Sequence, residues 1–272
     1  MQQLTSNVLV ETQQKGANHG LVTTSDGLVL IDTPHKPSDA VRLRAEIERR
    51  GRLRYIINTE PHSDHWTGNA FFDVPVVAHE GVRSRILGTD MTAHVARVGS
   101  FGPEEPKLLE NYRPNAPVIT FESGMTLHVG KHTFRMIGMP GHTPYQAAVI
   151  VEEEGVTFTS DNIFCKVHTW IQEGQPDDWL KSLDSLRALR EDTFVPGHGP
   201  VHLGRGVKDL EEQKRYFVVM RDEVAKMVAA GKTLEQIEKE FKIPQEFAHY
   251  KRPERLKAFY KLFYNQLIER GY

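Results

Sequence analysis

The sequence predicts an α/β chain, a four-layer αββα sandwich with a helical extension at its C-terminal end. Three observations lead there. Groups of short β-rich runs alternate with amphipathic helical stretches through both halves of residues 1–205, the pattern of two sheets packed face to face between helices. Several of those runs stop abruptly in clusters of Gly, Pro, His and Asp. Beyond Gly206 the pattern changes to long, charged helical stretches, so residues 206–272 read as an extension packed on the main body.

From Asn7 to Pro34 the pattern is three strands joined by turns, and the Asp26-Gly27 pair between β-rich runs predicts a hairpin. Ser38 to Arg50 carries Val41, Leu43, Ala45 and Ile47 among charges, an amphipathic helix with Ser38 as its expected cap. The apolar run ending in Tyr55-Ile56-Ile57 suits a buried parallel strand. Val74 to His79 is a further strand. Residues 81–117 read as an insert with a helix and a loop, and its apolar residues Ile86, Leu87, Met91, Val95 and Phe101 allow two readings: local packing, or a lid or wall over a cleft. Three β runs with turns at Ser123-Gly124 and Gly130-Lys131 follow, then a hairpin around Glu154-Gly155. Trp179 to Arg190 is a helix with a core stripe of Leu180, Leu183, Leu186 and Leu189, and a short strand leads into Pro196-Gly197-His198. The extension divides into helices over Val207–Ala230, Thr233–Phe241 and Glu254–Glu269, with Gly231 as a C-cap and Pro253 as a start signal. Its Phe217, Met220, Phe247, Tyr250 and Tyr264 pack on the body, or offer a cleft wall or a contact for a homo-oligomer.

Composition narrows the function classes. The chain has 272 residues, 39% of them hydrophobic, enough for a sizeable core. A formal net charge of −2 and the lack of a long basic stretch disfavour nucleic acid as an obligatory partner. A single cysteine, Cys165, cannot close an intrachain disulfide, and is expected to be a packed small residue rather than a nucleophile. No apolar run approaches the ~20 residues that span a bilayer, and the opening residues do not read as a signal peptide. The expected setting is cytoplasmic, with a small-molecule partner and no membrane.

Four strand ends carry metal-type donors: Glu60-x-His62-x-Asp64-His65, then Pro140-Gly141-His142, Ser160-Asp161 and Pro196-Gly197-His198. Alternate residues leaving a strand point the same way, so Glu60 and His62 can share one metal. The turn that follows lets Asp64 and His65 address a second. One such piece alone is weak evidence, since Ser-Asp-Asn is also ordinary turn chemistry. Four in order, each beside turn residues, form a set.

With these motifs the chain resembles the metallo-β-lactamase superfamily, whose signature is His-x-His-x-Asp-His followed by a His, an Asp and a His. The resemblance covers roughly residues 7–205 and includes the flanking text VLIDTP, INTEPHSDHWTGN, MPGHTPYQAAV, FTSDNIF and VPGHGP. It implies a catalytic domain over 1–205 with two divalent ions. Glu60, His62 and His142 would hold one, Asp64, His65 and His198 the other, and Asp161 would bridge them. Asp32 would support the metal-binding loop from behind, and Asp64 would orient the nucleophile. Ions ~3.5–4 Å apart would share a hydroxide. The implied activity is hydrolysis of a small ester, lactone, thioester or amide, a β-lactam being one special case.

Glu60 departs from the family's usual His. Three carboxylates against two divalent ions leave one positive charge, where a His at position 60 would leave two. The bound water should then be acidified less, and manganese or iron should compete better with zinc, which remains the first expectation because the other donors are rich in imidazole. Glu60 turned away from a one-metal site is the other reading. Carboxylate enrichment also keeps open an iron-dependent oxidoreductase of the same fold, similar to the sulfur dioxygenases. A phosphodiesterase or nuclease, or a binding protein with a disabled site, ranks lower. Four residues are candidate substrate contacts: His19, from its place in related folds, and Lys166, His168 and Trp170, because they follow Asp161 closely. An ordinary core or loop role is the alternative for each. His35, His79, His94, His128, His132, His202 and His249 are expected to be surface or core histidines.

Overall fold

The computed structural model describes residues 1–171, 173–189 and 193–269. Arg190, the expected end of one helix, and residues 270–272 of the extension lie outside the described residues. Seven strands form the first sheet, in chain order: β1 (Gln2–Gln3), β2 (Val8–Glu11), β3 (His19–Thr24), β4 (Gly27–Ile31), β5 (Leu53–Ile57), β6 (Val76–His79) and β7 (Ile119–Phe121). The first four pair antiparallel, and β4 to β7 run parallel. The second sheet has the order β12-β11-β10-β9-β8, from β8 (Gly124–Val129), β9 (His132–Gly138), β10 (Ala147–Val151), β11 (Val156–Phe158) and β12 (Thr193–Val195). Among the described residues, only β11 and β12 pair parallel there.

Alternation along the strands builds the layers. Val22, Val29 and Ile31 of the first sheet meet Phe134, Met136, Val149 and Phe158 of the second in one core. Their neighbours Leu21, Leu28 and Leu30 turn the other way, onto Ala40, Leu43 and Ile47 of α1 (Pro37–Arg50). The outer face of the second sheet, through Ala148 and Phe194, packs on α6 (Pro176–Leu189), α7 (Gly206–Ala229) and α9 (Leu256–Glu269). This is the expected sandwich between helices. The Leu stripe is core, with Leu183 and Leu186 fully buried.

Several expectations shift in detail. Ser38 does not cap α1, which starts one residue earlier on Pro37. Ser38 donates its hydroxyl and its backbone N–H to the two oxygens of Glu105, at 2.7 and 3.0 Å. That carboxylate is fully buried and paired with Lys36 at 3.1 Å, so it docks the insert on the start of α1. The insert holds three helices rather than one, α3 (Glu80–Leu87), α4 (Met91–Gly99) and α5 (Glu105–Leu108), after the short α2 (Ser63–Trp66). Ile86 is buried with Trp66 and Val82, and Leu87 is exposed. In the extension, α8 (Leu234–Glu240) follows Gly231, whose φ of +74° suits a helix stop. Pro253 opens a tight turn through Arg255, and α9 starts after it. Phe217, Met220, Phe247 and Tyr250 are spent inside one core shared with α6 and the second sheet, and Tyr264 packs against it. Among the described residues no helix is long and apolar enough to cross a membrane.

Candidate metal centre

The loops after β4, β5, β9, β11 and β12 gather at one end of the two sheets, where carboxyl ends of parallel strands leave a crevice. Each loop delivers what its sequence promised. After β5, Thr59, Glu60 and His65 are buried and His62 keeps part of its ring in the open. The loop after β9 brings His142, the turn after β11 brings Asp161, and the loop after β12 brings His198. Gly197 is required there, because a Cβ would collide with Asp161 Oδ1.

The seven donors form three overlapping groups whose ligand atoms lie within 4.8 Å of one another: Glu60, His62 and His142; Glu60, His65 and Asp161; Asp64, His65 and His198. Glu60 points inward, with Oε1 at 3.0 Å from His62 Nδ1 and 3.1 Å from His65 Nε2. Asp161 lies between the imidazoles, 3.4 Å from His65, 3.5 Å from His142 and 3.4 Å from His198. His198 Nε2 is 3.4 Å from Asp64 Oδ2. The nitrogens His62 Nδ1 and His142 Nε2 face each other at 3.1 Å.

Asp32 stands behind this array. Its backbone takes a left-handed φ of +56°, which turns the carboxylate across the end of the sheet. Asp32 Oδ2 meets His65 Nδ1 at 2.9 Å, leaving Nε2 to face the site, and the backbone N–H and hydroxyl of Thr59 donate to Asp32 at 2.8 and 2.6 Å. Phe164 stacks on His198 with ring centroids 5.3 Å apart.

Electrostatics follow from seven groups sharing one buried space. Burial opposes charge on every one, yet Glu60 lifts His62 to about 9, Asp161 and Asp64 lift His198 to about 9, and Glu60 with Asp32 raises His65 well above its ordinary value. Against the same burial, His198 and His65 hold Asp161 well below the usual carboxylate range, and His198 does the same for Asp64. His142 behaves differently: desolvation wins over Asp161 and Glu60 and lowers it to about 4.

Glu60 Oε2, His65 Nε2 and Asp161 Oδ1 are buried without a hydrogen-bond partner among the described residues. Buried polar atoms are ordinarily hydrogen-bonded, and three that are left with ion-pair contacts alone around one point fit divalent cations as the further partner. The donor set of four imidazoles and three carboxylates is of the right chemistry.

A family model described as the metallo-β-lactamase superfamily matches residues 14–198. The chain belongs to that superfamily. A "Hydroxyacylglutathione hydrolase" of Methylococcus capsulatus is 27% identical over 164 residues, 58% of this chain and 53% of that protein. One of Brucella ovis is also 27% identical, over 65% of this chain and 60% of its own length. The chain thus spans little more than half of these relatives. Among solved structures, a metallo-beta-lactamase family protein from Thermus thermophilus has a TM-score of 0.70 at 21% identity, covering 97% of this chain and 95% of that one. A sec-alkylsulfatase from Pseudomonas sp. has a TM-score of 0.73 at 18% identity, covering 97% of this chain and 49% of that one. At such identities the structural likeness speaks for the fold of this superfamily member.

The cleft above the centre has a volume of about 970 Å³. Of the four residues expected on substrate, Trp170 lines it. His19 does not: it opens β3 opposite Glu11, and its neighbour Asn18 reaches the rim instead, donating to the carbonyls of Pro196 and Gly199 at 2.8 Å each. Lys166 turns away to pair with Glu212 of α7, and His168 is fully buried with Nδ1 3.0 Å from the Tyr216 hydroxyl. The extension docks on both, by pairing the backbone of residues 166–168 with Lys251. That docking makes the extension a cleft wall through Lys251, Arg252 and Arg255, not through the aromatic residues expected there, in a lining that also holds Lys15 and, from α4, Arg97. The insert lines the cleft through Ala93, His94 and Phe101, so of its five expected apolar residues only Phe101 does so, and Ile86 and Met91 pack locally. Cys165 is buried, and burial pushes its thiol up to about 12, as a packed rather than a nucleophilic thiol requires.

Proposed function

We propose that this protein is a metal-dependent hydrolase of small acyl substrates, with an anionic thioester or ester as the first candidate. The observation that carries the reading is the convergence of seven donors, three buried atoms among them without a hydrogen bond, on the floor of an open cleft. Glu60, His62 and His142 would hold one cation, Asp64, His65 and His198 a second, with Asp161 facing both. Divalent ions bound there supply a Lewis acid and acidify water near neutral pH.

The chain's own residues do the rest. Asp64 lies at the cleft floor, where it would orient the attacking water. Asp32 fixes the ring of His65. Arg97, Arg255, Lys15 and Lys251 give the cleft a basic rim beside Asp161 and Asp64, which favours a substrate carrying a carboxylate or similar anion. Relatives named for hydroxyacylglutathione hydrolysis support the thioester. Zinc leads as metal, and the inward carboxylate of Glu60 favours manganese or iron more than a His there would. The same carboxylate is the one observation in favour of iron-dependent oxidation as a second reading.

The test is chelator-stripped protein reloaded in turn with zinc, manganese and ferrous iron, assayed on thioesters, esters, lactones and β-lactams. Turnover is expected with at least one metal, and Asp64→Asn should lower kcat by ~10²–10⁴-fold without unfolding the chain. No hydrolysis under any metal would overturn the proposal. Oxygen uptake with a persulfide and iron would put the second reading in its place.

A further inference from the structure

We propose that Cys165, His202 and Asp209 form a second, independent cation site of the zinc type, which ties the His198 loop to the first turn of α7. None of the three belongs to the seven donors around Asp161. They come from three segments that meet only in the fold: the stretch after β11, the loop after β12, and α7.

Geometry is the first support. Cys165 Sγ lies 3.7 Å from His202 Nδ1, and Nδ1 lies 2.9 and 3.1 Å from the two oxygens of Asp209. All three donor atoms fall within 4.8 Å of one another. Tetrahedral zinc with ordinary bond lengths sets a sulfur and a nitrogen donor about 3.6 Å apart, so the Cys–His spacing needs no rearrangement. The His–Asp pair, closed as a hydrogen bond, has to open by only about half an ångström.

Chemistry is the second. Cys165 keeps its proton in the metal-free chain and would release it to solvent on binding; thiolate, imidazole and carboxylate are then a donor set that zinc accepts, and two anionic donors balance its charge. The Cys165 and Asp209 side chains are enclosed, while His202 keeps 31% of its side chain exposed, which leaves a side open for entry and for a water as fourth ligand. The third support is what such a site would join. The backbone N–H of Cys165 donates to the carbonyl of His198 at 2.9 Å, and Gly199 takes a φ of +97° against the carbonyl of Cys165, where no side chain fits. A cation bound only by the folded chain stabilises it, here at the loop that presents His198.

Cys165 is the sole cysteine, so any thiolate-to-metal charge transfer reports this site and no other. The experiment is titration of the metal-stripped full-length chain with cobalt(II), read by absorbance and by metal content. A near-ultraviolet thiolate band should saturate with one equivalent. Cys165→Ala should lose the band and bind one cobalt fewer, while keeping the visible bands of the imidazole–carboxylate centre. His202→Ala should lose the same equivalent with the thiol intact. A wild-type chain that takes up cobalt without any thiolate band overturns the proposal, and needs no variant to be interpretable. Because the readout is sulfur-specific, this outcome leaves the hydrolase reading untouched, and absence of turnover leaves this site untouched.

Discussion

Two sets of histidines in this molecule face opposite fates. His62, His65 and His198, on the strand-end loops, hold their protons to high pH, whereas His19 in β3, His94 in the insert and His168 under the extension are driven down to about 4. Desolvation disfavours charge in both sets. The sign is decided by what each ring touches. The first set faces Glu60, Asp64, Asp161 and Asp32 closely, while in the second His94 meets the Thr67 hydroxyl and His168 the Tyr216 hydroxyl, and Glu11 near His19 and Glu254 near His168 are too weak to offset burial. The loops therefore hold protons where a cation would sit, and loading the centre must expel them. His142, squeezed between the rings of Phe164 and Trp179, belongs to the centre by position and to the second set by charge.

That contrast can be broken at three points. The largest effect is expected from Asp32→Asn, which removes the charge behind His65 and keeps the shape. Metal affinity or activity should fall ~10–100-fold with the fold intact by circular dichroism. An unchanged affinity would mean that the carboxylate wall does not control the ring. Glu60→His is milder. Removing a hard anionic donor should move the preference from manganese or iron toward zinc, read as metal content after growth in mixed metals; an unchanged ratio would remove Glu60 from the ligand set. The smallest effect belongs to the second set. The folded state holds His19 neutral down to about pH 4, while an unfolded chain protonates it near 6.5. The stability that follows from this is complete above pH 6.5 and is lost as pH falls toward 4. His19→Leu should flatten the fall of Tm over that window relative to the parent chain, and parallel curves would refute the assignment.

The ligand loops were legible because each is short, ends a strand and carries its own donors, so local spacing and turn chemistry suffice. Layering was legible for the same reason: Leu and Val alternate along β3 and β4 as the two faces demand. What escaped depends on docking. Lys166 and His168 follow Asp161 closely in the chain, but the extension covers them, and strand-like pairing with Lys251 is not written in any propensity. Ser38 was misplaced because a carboxylate 67 residues away satisfies the helix start better than its own hydroxyl. The group of Cys165, His202 and Asp209 is invisible in sequence, since its spacings match no short metal motif.

Arg255 comes from the last turns of the chain yet lies over the ring of Phe164, 5.6 Å from its centroid, within the field of Asp161 and Asp64. The seven donors thus come from residues 60–198, while part of the cleft wall comes from the extension. Substitutions near position 255 therefore reshape one wall of the cleft without touching a single donor of the centre.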